Sequence, residues 1–159
     1  TGAWDKLLKL LEPPVKLAEE KNINLVLETG NNAMVPSAWL GKKLIDDIGS
    51  DRLRILWDPA NSLYANEPTY PDGWEALKDG YIGHFHIKDA KVNMPHAHVE
   101  FCEMGKGDMA PYLDPLANEM KLNNYNGYIS LESVYRPDGG SFEDGYRASL
   151  PKFKELFDW

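Results

Sequence analysis

The stretch YIGHFHIKD, residues 81–89, decides how the rest of the sequence is interpreted. Its histidines alternate with Phe85 and Ile87, and a lysine and an aspartate follow directly, which predicts a buried strand with a polar end. His84 and His86 lie on the same face of this strand, about 7 Å apart along it. Either both imidazoles pack in the interior, or one of them holds a metal at the strand end.

Three other short apolar runs resemble this predicted strand and are separated from it by helical patterns. They are INLVLE (23–28), LRILWD (53–58) and GYISLE (127–132). Each is rich in branched residues and is about as long as an ordinary strand. The sequence therefore predicts four strands that are apolar along most of their length.

Helical periodicity fills the segments between these strands. The first helical pattern covers residues 4–22, where Pro13-Pro14 must kink the helix or split it in two. The second covers residues 37–49, with Ser37 as its N-cap and Gly49 as its stop. The remaining helices are predicted at 70–80, 109–124 and 141–157, and a long polar loop is expected at about 91–109.

This order, a helix followed by four strand–helix pairs, predicts a parallel sheet with helices on its faces. The unit recurs about every 30 residues, as in (β/α) proteins. A closed barrel needs eight units and about 250 residues, whereas this chain has 159 residues. We expect residues 1–159 to form a single α/β domain with four strands and about five helices, either as part of a barrel or as a flavodoxin-like open sheet.

Composition excludes several classes of function. The net charge of -8 and the pI near 5.0 are a poor match for nucleic acid, which is bound through clustered Lys and Arg. No apolar run approaches the length that spans a bilayer. The single cysteine, Cys102, cannot form an internal disulfide and fits a reducing, cytoplasmic compartment. The chain begins with Thr1-Gly2 rather than Met, which indicates a fragment of a longer protein.

Each predicted strand ends on a residue that can bind a metal. These residues are Glu28, Asp58, His86 and Glu132. The carboxyl ends of parallel strands meet at one edge of the sheet, where active sites lie. Three carboxylates there would repel one another, and a divalent cation removes that repulsion. Oxygen ligands with one nitrogen favour Mn²⁺, Mg²⁺ or Co²⁺, with Zn²⁺ also possible.

Five motifs, in their order and spacing, resemble the carboxyl-terminal half of the xylose isomerase-like TIM barrels. They are LVLET (25–29), ILWDPANS (55–62), HFHIKDA (84–90), EMGKGDM (103–109) and GYISLES (127–133). This group of sugar phosphate isomerases and epimerases also includes inosose dehydratase and the endonuclease IV-type enzymes. The resemblance implies that residues 1–159 form a partial domain, half of a TIM barrel. It also implies that Glu28, Asp58, His86 and Glu132 hold one divalent metal, and that His84 is a structural or supporting histidine.

The resemblance also implies a reaction, which is isomerisation or epimerisation of a sugar or sugar phosphate. A proton moves at the carbon beside a carbonyl through a metal-stabilised enediolate, with Glu28 and Glu132 as base and acid. Candidate contacts to the sugar or polyol substrate are Asn61, Lys88, Glu103 and Arg136. Asn61 stands where many relatives carry a histidine, and an amide cannot act as an acid or base near pH 7.

Two other functions remain open at this point. One is an inosose-type dehydratase, a lyase. The other is a non-catalytic half-barrel that binds a sugar or metal, or that serves only in assembly. Four strands leave two unpaired edges. They are explained if the chain is a fragment of a longer enzyme, which we favour, if a second half (identical or not) closes the barrel, or if helices cover the edges.

Overall fold

The computed structural model describes residues 2–158, which contain six α-helices and six β-strands. The helices are α1 (Gly2–Lys21), α2 (Ala38–Ile48), α3 (Pro59–Tyr64), α4 (Trp74–Leu77), α5 (Ala110–Leu122) and α6 (Phe142–Phe157). The strands are β1 (Leu25–Glu28), β2 (Leu53–Trp57), β3 (Ile82–Ile87), β4 (Asp89–Asn93), β5 (His98–Cys102) and β6 (Tyr128–Leu131). No helix among these residues is long and apolar enough to cross a bilayer.

Four of the strands form one parallel sheet in the order β1-β2-β3-β6. Leu27 is opposite Ile55 in the first pair, and Trp57 is opposite Phe85 in the second. The predicted α/β class and the four parallel strands are therefore confirmed. Six helices are present rather than about five, because α3 begins directly after β2. Asp58 caps this helix by accepting a hydrogen bond from the Ala60 amide.

The segment expected to be a polar loop instead contains a hairpin. Strands β4 and β5 pair antiparallel, with Lys91 opposite Glu100 and Val92 opposite Val99. The loop expectation was wrong because each strand is short: polar and apolar residues alternate in DAKVN (89–93) and in HVEFC (98–102), but over only five residues each. The hairpin directly follows β3 and places its base next to the carboxyl edge of the sheet.

Helix α1 runs past its two prolines without being split. Pro13 and Pro14 are exposed, whereas Val15 and Ala18 are buried on the opposite side of the helix. This packing stabilises the helix against the loss of two backbone hydrogen bonds. At α2 the predicted ends are confirmed: the Ser37 side chain accepts from the Leu40 amide, and Gly49 closes the helix with a φ of 70°.

One face of the sheet is packed and the other carries polar residues. Leu53, Ile55 and Trp57 alternate along β2 and are fully buried among the helices. Trp57 packs against Phe85 of the neighbouring strand, with 5.6 Å between ring centres. Because strand side chains alternate, the residues between them point to the opposite face. That face carries Glu28 and His86 near the strand ends, and Tyr128 there is 79% exposed.

The approach of α6 to the segment after β6 gives a test of the fold. A Cβ atom at Gly145 would lie 1.9 Å from the Tyr135 backbone oxygen, whereas a Cβ at Gly2 meets nothing within 4 Å. Gly145→Ala must therefore displace backbone, and we expect it to lower the free energy of unfolding by at least about 2 kcal/mol. Gly2→Ala is the matched control. Urea denaturation measures both, and equal stability of the two variants would contradict this packing.

Candidate metal centre and active site

The parallel register brings four strand ends to one edge of the sheet. Glu28 is the last residue of β1, His86 is the penultimate residue of β3, and Asp58 and Glu132 directly follow β2 and β6. The ends of β3 and β6 stay paired one residue beyond β6, because the Glu132 amide donates to the Ile87 carbonyl at 2.9 Å. The four predicted ligands therefore end their strands side by side.

Three of these residues converge on one another. The Nδ1 atom of His86 lies 3.1 Å from Glu28 Oε1 and 3.7 Å from Glu132 Oε2. Each of the three side chains offers a ligand atom within 4.8 Å of the other two. We call Glu28, His86 and Glu132 the strand-end cluster. Two carboxylates and one imidazole form a donor set that suits a divalent cation.

Asp58 reaches this cluster through a lysine rather than directly. Its side chain is fully buried. Its Oδ1 atom accepts from the Ala60 amide at 3.1 Å, and its Oδ2 atom forms an ion pair with Lys88 Nζ. Lys88 also donates to Glu132 Oε2 at 2.8 Å. The ammonium group therefore joins Asp58 to the strand-end cluster.

The charges of this network shift the pKa of each member. Burial raises the pKa of Asp58, and the Glu132 carboxylate acts in the same direction against the effect of Lys88. Burial lowers the pKa of Lys88, but the two carboxylates outweigh it and hold that pKa above its usual value. For Glu132, the hydrogen bond and charge of Lys88 outweigh burial and hold the pKa below its usual value. Lys88 is therefore held as a cation, and Glu132 is favoured as an anion.

Asn61 ties the start of α3 to the end of β1. Its side-chain nitrogen donates to the Thr29 carbonyl at 2.6 Å, and the Asp58 amide donates to Thr29 Oγ1 at 3.2 Å. Both Asn61 and Thr29 are buried. The Asn61 amide nitrogen, predicted to contact substrate, is thus engaged within the protein and fixes the backbone on either side of the cluster.

His84 lies one step back from the cluster on the same face of β3. Its Nε2 atom is 2.7 Å from Ser130 Oγ, and its ring centre is 5.3 Å from that of His86. Partial burial, and then the neighbouring His86, lower the pKa of His84 and favour its neutral form. These contacts agree with the expected supporting role.

The other two predicted substrate residues have their contacts elsewhere. Glu103 lines a crevice with Lys152 and Glu155 of α6. Arg136 is exposed, and its guanidinium lies 4.9 Å from the ring centre of Phe142. Within residues 2–158, the polar contacts that join Asp58, Lys88 and the strand-end cluster include neither residue.

Sequence reasoning missed the role of Asp89. Its two carboxylate oxygens accept four backbone hydrogen bonds, from the amides of Ala90, Gly105, Gly107 and Met109, at 2.8–3.0 Å. A Cβ at Gly107 would lie 2.3 Å from Asp89 Oδ1, so only glycine fits there. Asp89 thereby anchors the 105–109 turn beside the site. The two glycines of that turn were the only signal in the sequence.

The fold and the arrangement of polar strand ends define an α/β protein of the TIM-barrel type. A family model described as xylose isomerase-like TIM barrel matches residues 1–156. The chain therefore belongs to this family. The match begins at residue 1, so it does not support the more specific expectation that the chain is the carboxyl-terminal half.

Solved structures show the same fold. The chain is similar to 3-keto-D-glucoside 4-epimerase YcjR from E. coli, with a TM-score of 0.71 and 19% identity over 97% of this chain and 54% of that one. It is also similar to the probable 3-DHS dehydratase AsbF from Bacillus anthracis, with a TM-score of 0.74 and 16% identity over 92% and 55%. A third is the IOLI protein with a bound zinc atom, with a TM-score of 0.71 and 15% identity over 94% and 54%.

The chain spans about half the length of these structures. A comparison with curated protein sequences gives no match. At identities below 25%, these structures show the fold alone.

The Asp89 contacts predict a large effect of a small substitution. Asp89→Asn replaces one accepting oxygen with an NH₂ group that faces backbone amides, so two of the four hydrogen bonds are lost. We expect the free energy of unfolding to fall by about 2–3 kcal/mol. Asp138→Asn, at an exposed position, is the matched control. Chemical denaturation of the two variants measures the difference, and unchanged stability of Asp89→Asn would contradict the assigned anchor.

Proposed function

We propose that this chain is part of a divalent-metal-dependent isomerase or epimerase of a sugar or sugar phosphate. The observation that carries the proposal is the convergence of Glu28, His86 and Glu132 at the carboxyl edge of a parallel sheet. Active sites of barrel enzymes lie at this edge. Membership in the xylose isomerase-like family and the similarity to a sugar epimerase support it.

The donor chemistry of the edge fits a divalent cation. Glu28, His86 and Glu132 would hold the cation, and Asp58 is the fourth ligand that the family resemblance implies. Lys88 offers one positive charge against three carboxylates, so the edge retains excess negative charge. Mn²⁺, Mg²⁺ or Co²⁺ suit the oxygen-rich set, and Zn²⁺ is also accommodated. A cation held there would supply Lewis-acid chemistry, the polarisation of a carbonyl and an adjacent hydroxyl of the substrate.

We assign the proton transfer to the two glutamates. Glu28 comes from β1 and Glu132 from β6, the outer strands of the four-stranded sheet, and both approach His86. One carboxylate removes the proton from the carbon beside the carbonyl, and the other returns one to the reacting carbons.

The remaining parts of the proposal concern substrate, extent and location. Asn61, Lys88, Glu103 and Arg136 are retained as proposed contacts to a small sugar or polyol. Residues 1–159 are proposed to form one partial barrel domain, which another half of the barrel or a second subunit completes. A cytoplasmic location is proposed, and the free, buried Cys102 supports it.

A lyase is the second candidate function. The similarity to a probable dehydratase favours it. Removal of water beside a carbonyl begins with the same proton abstraction, so Glu28 and Glu132 would serve both reactions.

Metal binding is the first consequence to measure. We expect the chain, after treatment with EDTA and dialysis, to bind about one Mn²⁺, because the strand-end cluster provides three donors. His86→Ala should lose this binding, whereas His98→Ala, on the exposed hairpin, should retain it. Calorimetric titration measures both. Tight binding that survives His86→Ala would show that the cation sits elsewhere.

Proton abstraction gives the second measurement. With Mn²⁺ present, we expect the chain to exchange hydrogens beside the carbonyl of D-fructose, used as a probe, with D₂O. Glu28→Gln and Glu132→Gln should each slow this exchange by about 10²-fold or more, because an amide cannot accept the proton. Glu100→Gln, on the exposed hairpin, is the control. NMR follows the exchange, and wild-type rates in both glutamate variants would reject the assigned acid–base pair.

A further inference from the structure

Lys88 contacts two of the four proposed metal ligands at once. Its Nζ atom donates to Glu132 Oε2 at 2.8 Å and forms an ion pair with Asp58 Oδ2. The same Glu132 oxygen lies 3.7 Å from His86 Nδ1, so the lysine touches the strand-end cluster itself. Its ammonium group therefore holds carboxylate oxygens that a divalent cation would also use.

The position of Lys88 is built into the fold rather than accidental. Lys88 directly follows β3 and is only 8% exposed. A lysine is almost never this buried unless its charge is paired, and here both partners are carboxylates. Asp58 is buried with it, and its other oxygen is fixed by the Ala60 amide. The pair is therefore a preformed part of the site.

A cation at the strand-end cluster would stand close to this ammonium group. The cation and the ammonium group would both bind Glu132 Oε2. Two positive charges a few ångströms apart also repel strongly in a partly buried site. The carboxylates can be balanced by the lysine or by the metal. Competition for the same oxygens follows from this geometry.

We propose that Lys88 is a built-in counter-cation, which pairs with Asp58 and Glu132 in the metal-free protein and leaves them when a divalent cation binds at the strand-end cluster. This inference rests on the metal site of the proposed function and adds the group with which the metal competes. Lys88 therefore stabilises the metal-free fold and weakens metal binding. Its departure also frees the Asp58 carboxylate to act as the fourth ligand.

Lys88→Met separates these two effects. We expect this variant to bind Mn²⁺ at least about tenfold more tightly than the wild type in calorimetric titration, because a nearby positive charge is gone. In EDTA it should unfold at a lower temperature than the wild type, because buried Asp58 has lost its counter-charge. Lys43→Met is the matched control, since Lys43 pairs with Asp47 on the exposed side of α2. Lys43→Met should change both the Mn²⁺ affinity and the unfolding temperature in EDTA much less than Lys88→Met does.

A second measurement uses the wild-type chain. Acetylation of amines, followed by peptide mass spectrometry, reports how accessible each lysine is. We expect Lys88 to be protected in EDTA and to react several times faster with saturating Mn²⁺, while Lys43 reacts equally in both. If Lys88→Met does not fold, Lys88→Gln replaces it: the neutral amide can still donate a hydrogen bond to a carboxylate, so the positive charge is removed while all four proposed ligands remain. Its Mn²⁺ affinity then gives the same test.

The outcomes distinguish this inference from the proposed function. If the wild type binds Mn²⁺ but Lys88 labelling is unchanged and its substitution does not tighten binding, the counter-cation role is wrong and the metal site stands. If neither the wild type nor the lysine variants bind Mn²⁺, both proposals are overturned. Binding by a lysine variant but not by the wild type supports the inference, because it shows that Lys88 outcompetes the metal.

Discussion

The balance of charge at the carboxyl edge of the sheet is the constraint on which the site depends. Glu28, Asp58 and Glu132 end three strands there, and three carboxylates close together are stable only beside positive charge. Within the described residues, Lys88 supplies that charge from inside the fold. The edge retains excess negative charge, and this supports the proposed binding of a divalent cation there.

The sheet register determines which side chains take part in this balance. Strands β1 and β6 are not neighbours, yet both glutamates reach His86 on β3. The opposite face is held rigid by Trp57 and Phe85 packed against the helices. Thr29 and Asp89 then fix the backbone around the edge through hydrogen bonds to neighbouring segments. Precise placement of the donors is therefore a property of the packed core and not of the loops alone.

The sequence was sufficient for the four strands of the parallel sheet, because branched apolar runs are strong local signals. It also predicted that Glu28, Asp58, His86 and Glu132 end their strands at one edge, because parallel strands share one carboxyl edge. It could not reveal that Lys88 binds Asp58. That contact depends on side-chain geometry between β2 and β3, and no local pattern encodes it.

The hairpin and the Asp89 anchor were missed for a related reason. The hairpin strands alternate polar and apolar residues, but each is only five residues long, and the polar residues between and around them favoured a loop. In the sequence, Asp89 stood out only as part of the motif HFHIKDA. The four backbone amides that it binds lie up to twenty residues away along the chain. Only the folded backbone brings the amides of Gly105 and Gly107 to one carboxylate.

Binding a cation at the charged edge and enclosing a substrate are separate requirements of the proposed function. The ligands, the lysine and the anchor all come from one four-stranded sheet and its adjoining turns. The polar face of that sheet is open: Tyr128 is 79% exposed, and the accessible surface is 9050 Å², against roughly 8,000 Å² expected for a monomer of this mass. Cation binding requires only donors at fixed positions, whereas excluding water from a reacting sugar requires walls on every side. Metal affinity is therefore the part of the proposed function that this sheet could determine alone, whereas the choice of a substrate would depend on what covers its open face.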